Sequence, residues 1–143
     1  MRLLLISLVS CMLFSTSAFA RNDILKFSIE PLLSSGKAKG VLLDVPIYFA
    51  GQPHAKASKV WGEISTNKKT NAAFKPDQEA CEWVLLSALK ALQVKAKQNG
   101  MNAVINIKSN YNKIEFVSSS EFECGAGNIM AGVALKGTLA KLP

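Results

Sequence analysis

The chain has 143 residues, with 17 Lys+Arg against 10 Asp+Glu, one histidine and three cysteines. A single histidine leaves too few ligands for a structural zinc site, which wants three or four, and no metal or cofactor is expected. The positive balance favours anionic partners through long-range attraction, or simply keeps a basic surface solvated.

Met1-Arg2 followed by an apolar run through Phe14, and then Ser17-Ala18-Phe19-Ala20, has the three parts of a secretory signal in order. Residues 1–20 are therefore expected to form a removable leader cleaved after Ala20, and residues 21–143 a single exported domain. The apolar run is short of the roughly 20 residues that span a bilayer, so no transmembrane anchor is expected. A competing possibility is lipidation at Cys11, in Leu8-Val9-Ser10-Cys11, which would leave an unusually short leader. Export makes the localisation periplasmic or secreted. Partners there would be lipid head groups, lipopolysaccharide, cell-wall polymer or acidic proteins, and not nucleic acid.

Glu30 to Lys37 predicts a short helix, with Pro31 in its first turn and Gly36 at its end. Pro46–Ala50 and Val60–Thr66 are rich in strand formers. Thr66 to Pro76 is expected to be a polar, basic loop. Asp77 is the expected N-cap of a long helix over Gln78–Gln98, with Glu79 and Glu82 in its first turns and Asn99-Gly100 as its stop. Cys81, Val84, Leu85, Ala88, Leu89, Leu92 and Ala96 share one side at helical spacing. Trp83, Leu86 and Val94 form a second apolar patch, to be covered by Asp23–Leu43 or by a partner.

Ala103, Ile105 and Ile107 alternate in a third strand, Ile114–Cys124 forms a fourth with Phe116, Phe122 and Cys124 on one face, and Ile129 to Leu139 forms a fifth. The expected fold is α+β: one long helix packed on a mostly antiparallel sheet, with a short N-terminal helical segment.

Without the leader, Cys81 and Cys124 remain, and an even count in an exported chain points to a disulfide. Both sulfurs fall on faces expected to meet between helix and sheet. Closing a loop of about 43 residues would stabilise the fold by about 4 kcal/mol in the chain-entropy treatment. A redox-active pair is the alternative, against which stands the lack of Cys-x-x-Cys spacing.

Gly125-Ala126-Gly127 joins two expected strands rather than preceding a helix, so it suits a tight connection better than a phosphate cradle, and the chain has no Walker loop. His54 lies in a loop without a neighbouring carboxylate, and Glu121 and Glu123 share the outer face of a strand. Neither makes a catalytic set. The segment with binding potential is Asn67, Lys68, Lys69 and Asn71, whose lysines and amides suit an anionic or glycan-like surface. A non-catalytic binding module is therefore expected. A small hydrolase or thiol redox enzyme assembled only in three dimensions is the alternative.

Asn67-Lys68-Lys69-Thr70-Asn71-Ala72, Ala80-Cys81-Glu82-Trp83, Asn102-Ala103-Val104 and Glu123-Cys124-Gly125-Ala126-Gly127 with Met130-Ala131-Gly132-Val133 resemble a group of small exported proteobacterial proteins often labelled excinuclease ATPase subunit. An exported domain without a phosphate loop is not an ATPase subunit, so the label implies no activity. More loosely, the glycine-ended helix, the Asn-Ala-Val strand and the late glycine-rich strand are similar to the YbjQ-type fold, shared by RcsF-type envelope stress sensors. The chain departs from those sensors in having two cysteines after the leader rather than four, and no convincing lipid-attachment site.

Overall fold

The structure is a computed structural model describing residues 20–143. The expected leader, its Cys11 and all but the last residue of segment 1–20 lie outside the described residues. The elements run β1 (Asp23–Ser28), α1 (Glu30–Leu33), α2 (Gly36–Val41), β2 (Ile47–Phe49), β3 (Lys59–Asn71), α3 (Asp77–Gln98), β4 (Ala103–Ser109), β5 (Glu121–Ala126) and β6 (Met130–Lys141). The expected α+β architecture is present. α3 packs on a six-stranded sheet that is antiparallel except for the β2–β4 pair.

β6 organises the sheet. β3 pairs along its whole length, from Asn71↔Met130 to Lys59↔Lys141. On the other edge, β5 takes the start of β6 and β4 takes the rest. β1 then extends β5, and β2 extends β4. β1 was not foreseen as a strand: Leu25 and Phe27 pack on the core while the residues between them face out, an alternation only six residues long.

α3 begins one residue earlier than expected, with Pro76 at the N-cap position and Asp77 inside the helix. Asp77 is not a capping side chain. Its carboxylate instead takes both guanidinium nitrogens of Arg21, at 3.0 and 2.6 Å. This hydrogen bond and charge hold the Asp77 carboxyl below its ordinary range and raise Arg21. The helix stops where Asn99-Gly100 required. Gly100 takes φ +69°, its N–H donates to Lys97 O, and Met101 N donates to Ala96 O, the paired bonds of a Schellman ending.

All seven residues of the expected stripe are buried, and so is Leu86. The N-terminal segment covers that second side only in part: Leu33, Val41, Leu42 and Leu43 pack against the core that contains Leu86, while Val94 stays half-buried and lines an open cleft. Gln93, itself buried, donates to the carbonyls of Leu43 and Val45 and accepts from Leu43 N. Lys37 pairs with Glu82 at 2.8 Å and sits over the Trp83 ring, which stays partly exposed.

Several expected boundaries or faces move besides the start of α3, and Gly36 opens α2 rather than ending a single helix over Glu30–Lys37. Thr66–Asn71 is not a loop: it continues β3, because every residue to Asn71 finds a partner on the long β6. The fourth strand begins only at Glu121. Before it, the Ser118 hydroxyl accepts from Ser120 N and Glu121 N, a local side-chain-to-backbone turn that displaces sheet pairing. In β4, Val104 and Ile107 enter the main core while Ala103 and Ile105 form a small cluster with Ala140. A bulge explains the change of face, since Ile105↔Thr138 is followed by Lys108↔Lys136, with Asn106 at φ +52°.

Candidate functional site

β3 is an edge strand, bonded on one side to β6. The strand carries devices that discourage edge pairing: lysines at 59, 68 and 69, and an irregular register with β6 between Val60 and Gly62. Residues alternate between faces. Ile64 packs on the core beneath α3, so Lys68 shares the helix side, while Asn67 and Lys69 belong to the outer face. Lys69, next to the open edge, reaches clefts on both sides.

The outer-face cleft encloses about 710 Å³ and is lined by Asn67, Lys69, Tyr111, Asn112, Lys113 and Lys136, with Ser65, Thr66, Asn110 and Ala134 between them. Its roof is the short 3₁₀ turn Tyr111–Lys113. Asn110 N donates to Ala134 O at 2.8 Å and anchors this turn to β6. Asn112 and Lys113 both lie in the left-handed region, at φ +53° and +61°, where a residue other than glycine is uncommon. Tyr111 donates its hydroxyl to Asn22 Oδ1 at 3.2 Å. At the border, Lys136 lies 3.1 Å from Glu115 and 3.9 Å from Glu63. Lys136 and Lys108 together hold the Glu115 carboxyl below its usual range, the Lys136 hydrogen bond first.

The second cleft, about 740 Å³, follows the β3 edge beside α3. Lys68, Lys69, Lys90 and Lys95 line it with Ser87 and Gln98, over a floor of Val41, Ala91 and Val94. Among the described residues no aspartate or glutamate lines either cleft. No carboxylate there forms an ion pair with Lys68, Lys69, Lys90, Lys95 or Lys113.

The four residues singled out in the sequence are thus divided. Asn67 and Lys69 enter the outer cleft and Lys68 the edge cleft. Asn71 lines neither. Its Oδ1 accepts from Ala73 N at 2.8 Å and its carbonyl from Lys75 Nζ at 3.3 Å, so it shapes the turn after β3. Sequence reasoning missed Tyr111, Asn112, Lys113, Lys90 and Lys95. Lys90 and Lys95 carry no local signal beyond being charges on a helix, and the three turn residues gain meaning only where β4 and β6 place them.

Cys81 and Cys124 form a disulfide between α3 and β5, with Cα atoms 5.9 Å apart. His54 is exposed, with Nδ1 2.7 Å from Ala55 O and its ring beside Tyr48. Among the described residues no three His, Cys, Asp or Glu side chains are grouped to hold a metal ion, and no helix is long and apolar enough to cross a membrane.

No protein-family profile, curated protein or solved structure matches the chain. Fold and clefts together define a disulfide-bonded α+β domain whose open sheet edge separates two basic concavities.

Proposed function

We propose that the protein is a non-catalytic binding module of the bacterial envelope whose ligand is an extended polyanion, such as a phosphate- or carboxylate-bearing glycan. The observation carrying this proposal is that Lys69 joins two clefts, one offering Lys113 and the other Lys68, Lys90 and Lys95, with no acidic side chain in the described lining of either. A polymer crossing the β3 edge would meet cations on both sides. Lysine ammoniums are point charges without the planar fork of arginine, so they favour charge density over one fixed geometry. Tyr111 and the amides of Asn67, Asn110 and Asn112 add hydrogen-bonding groups suited to sugar hydroxyls. The Cys81–Cys124 bridge fits an oxidising compartment, as does the resemblance to small exported proteobacterial proteins.

The protein, expressed with its own leader, should bind a soluble anionic polysaccharide and ignore a neutral one of similar length. Binding should weaken as salt rises, because exposed charges are screened over about 8 Å at physiological ionic strength. Lys68→Ala with Lys69→Ala should weaken binding by roughly tenfold or more while the melting temperature barely changes, since exposed charges contribute little to stability. Equal binding of the neutral polymer, or an unaffected double variant, would show that the clefts are not the site.

A further inference from the structure

At the end of the domain where β3 hands over to α3, two connections are bonded together. Ala72 N donates to Ile129 O at 2.7 Å and joins them, while Gly127 N donates to Met130 O at 2.9 Å and closes the β5–β6 turn itself. Arg21 ties this end down, donating to Gly127 O at 3.1 Å while it grips Asp77. From this braced base project Phe74, which is fully exposed, and Ile129 and Met130, 68 % and 45 % exposed. Phe74 also has φ +60°, a backbone region in which a bulky side chain is an outlier. A glycine or asparagine would occupy that turn with less strain. The aromatic is thus held in water, in an unfavourable conformation, by a turn that Asn71 and Lys75 fasten.

We propose that this tip seats in the interfacial layer of an anionic bilayer, with Phe74, Ile129 and Met130 entering among the head groups and Lys75 and Lys69 meeting lipid phosphates. Three side chains on two turns offer far less than the roughly 800 Å² per partner of a stable protein interface. An aromatic and aliphatic wedge beside lysines is the composition that membrane interfaces accept. Charge complementarity points the same way. Asp77 and Asp23 are occupied by Arg21, which leaves Glu79 in the first turn of α3 as the nearby acid outside that group, whereas Lys69 and Lys75 make no ion pair among the described residues. So small a wedge gives reversible binding rather than an anchor.

Flotation of the full protein with phosphatidylcholine vesicles containing about 30 % phosphatidylglycerol tests the proposal. The bound fraction should be large with these vesicles, at least about tenfold lower with phosphatidylcholine alone, and reduced as salt rises from about 0.1 to about 0.5 M. Phe74→Gly with Ile129→Ser should lower vesicle binding by roughly tenfold or more, while melting is not lowered, because glycine relieves the positive φ at 74, and soluble-polyanion binding stays at the parental level. A Phe74→Cys variant carrying an environment-sensitive dye should show a blue-shifted emission on vesicles. The proposal is overturned if the parent fails to float, if the double variant floats like the parent, if the dye is unmoved, or if size-exclusion chromatography shows the parent to be a dimer that the double variant separates, which would mark a protein contact.

Discussion

The ring of Tyr111 lies directly on the backbone of Gly125, so that a Cβ at 125 would fall inside it. Gly125 pairs across the sheet with Gly132, whose own absent Cβ would lie 3.6 Å from Tyr111 Cε2. Gly125 does not adopt a positive φ. Glycine is there for room, and not for the backbone freedom that Gly125-Ala126-Gly127 suggested in the sequence. The two glycines form a flat floor that seats the ring, and the seated ring sets the roof of the outer cleft.

Gly125→Ala should therefore cost about 1–3 kcal/mol, the range for overpacking, measured by urea unfolding. Adding Tyr111→Ala should recover much of that loss, because the clash is with the ring and the two positions are coupled. The single Gly125→Ala variant should also lose polyanion binding as the turn is lifted. Equal stability of the single variant and the parent would contradict the floor's role.

Replacing both Cys81 and Cys124 by alanine should lower unfolding free energy by about 4 kcal/mol, the value for releasing a loop of this length in the unfolded chain. The bridge joins α3 to β5 within the core. Reduction of the parent with dithiothreitol should shift the denaturant midpoint in the same direction, whereas the double variant should be insensitive to reductant.

Gln93 is 1 % exposed and makes three bonds to the backbone of Leu43 and Val45. Gln93→Leu keeps the volume but strands those groups, and should cost about 2–3 kcal/mol. Hydrogen exchange should locate the damage: the Leu43 amide and the helices α1 and α2 should lose protection first, with β6 keeping most of its own.

The Arg21–Asp77 pair makes stability pH-dependent in a defined direction. The folded-state carboxyl titrates below its unfolded value near 3.9, so its contribution is complete above that value and is lost as pH falls through the lower folded one. Glu115, lowered by Lys136 and Lys108, acts with the same sign. Asp77→Asn should be less stable than the parent near neutrality and should show a shallower decline below about pH 4. With both side chains about one-third exposed, the effect should be small and should diminish at high salt. Parallel acid limbs for parent and variant would argue against the pair.

The long helix, its buried stripe and its stop were legible in the sequence because they rest on local physics. Seven apolar residues at 3.6-residue spacing and a glycine in the left-handed region speak for themselves within 25 residues. The pairing of Cys81 with Cys124 was legible too, since helix and strand periodicities independently aimed both sulfurs inward. The extent of β3 was not legible. Thr66–Asn71 is polar on both faces, as an edge strand over the lysine-lined clefts can be, and only the length of β6 opposite it makes it a strand. The bulge at Asn106 reversed the facing of β4 for a similar reason: strand parity holds until one extra residue, set by the partner, breaks it. Asn67, Lys68 and Lys69 stand out in the sequence as candidate binding residues from their chemistry. Their division between two faces, and their meeting with Lys90, Lys95, Tyr111 and Lys113, was decided by the tertiary structure, because those neighbours are brought together by sheet pairing and helix packing across sequence separations that no local pattern spans.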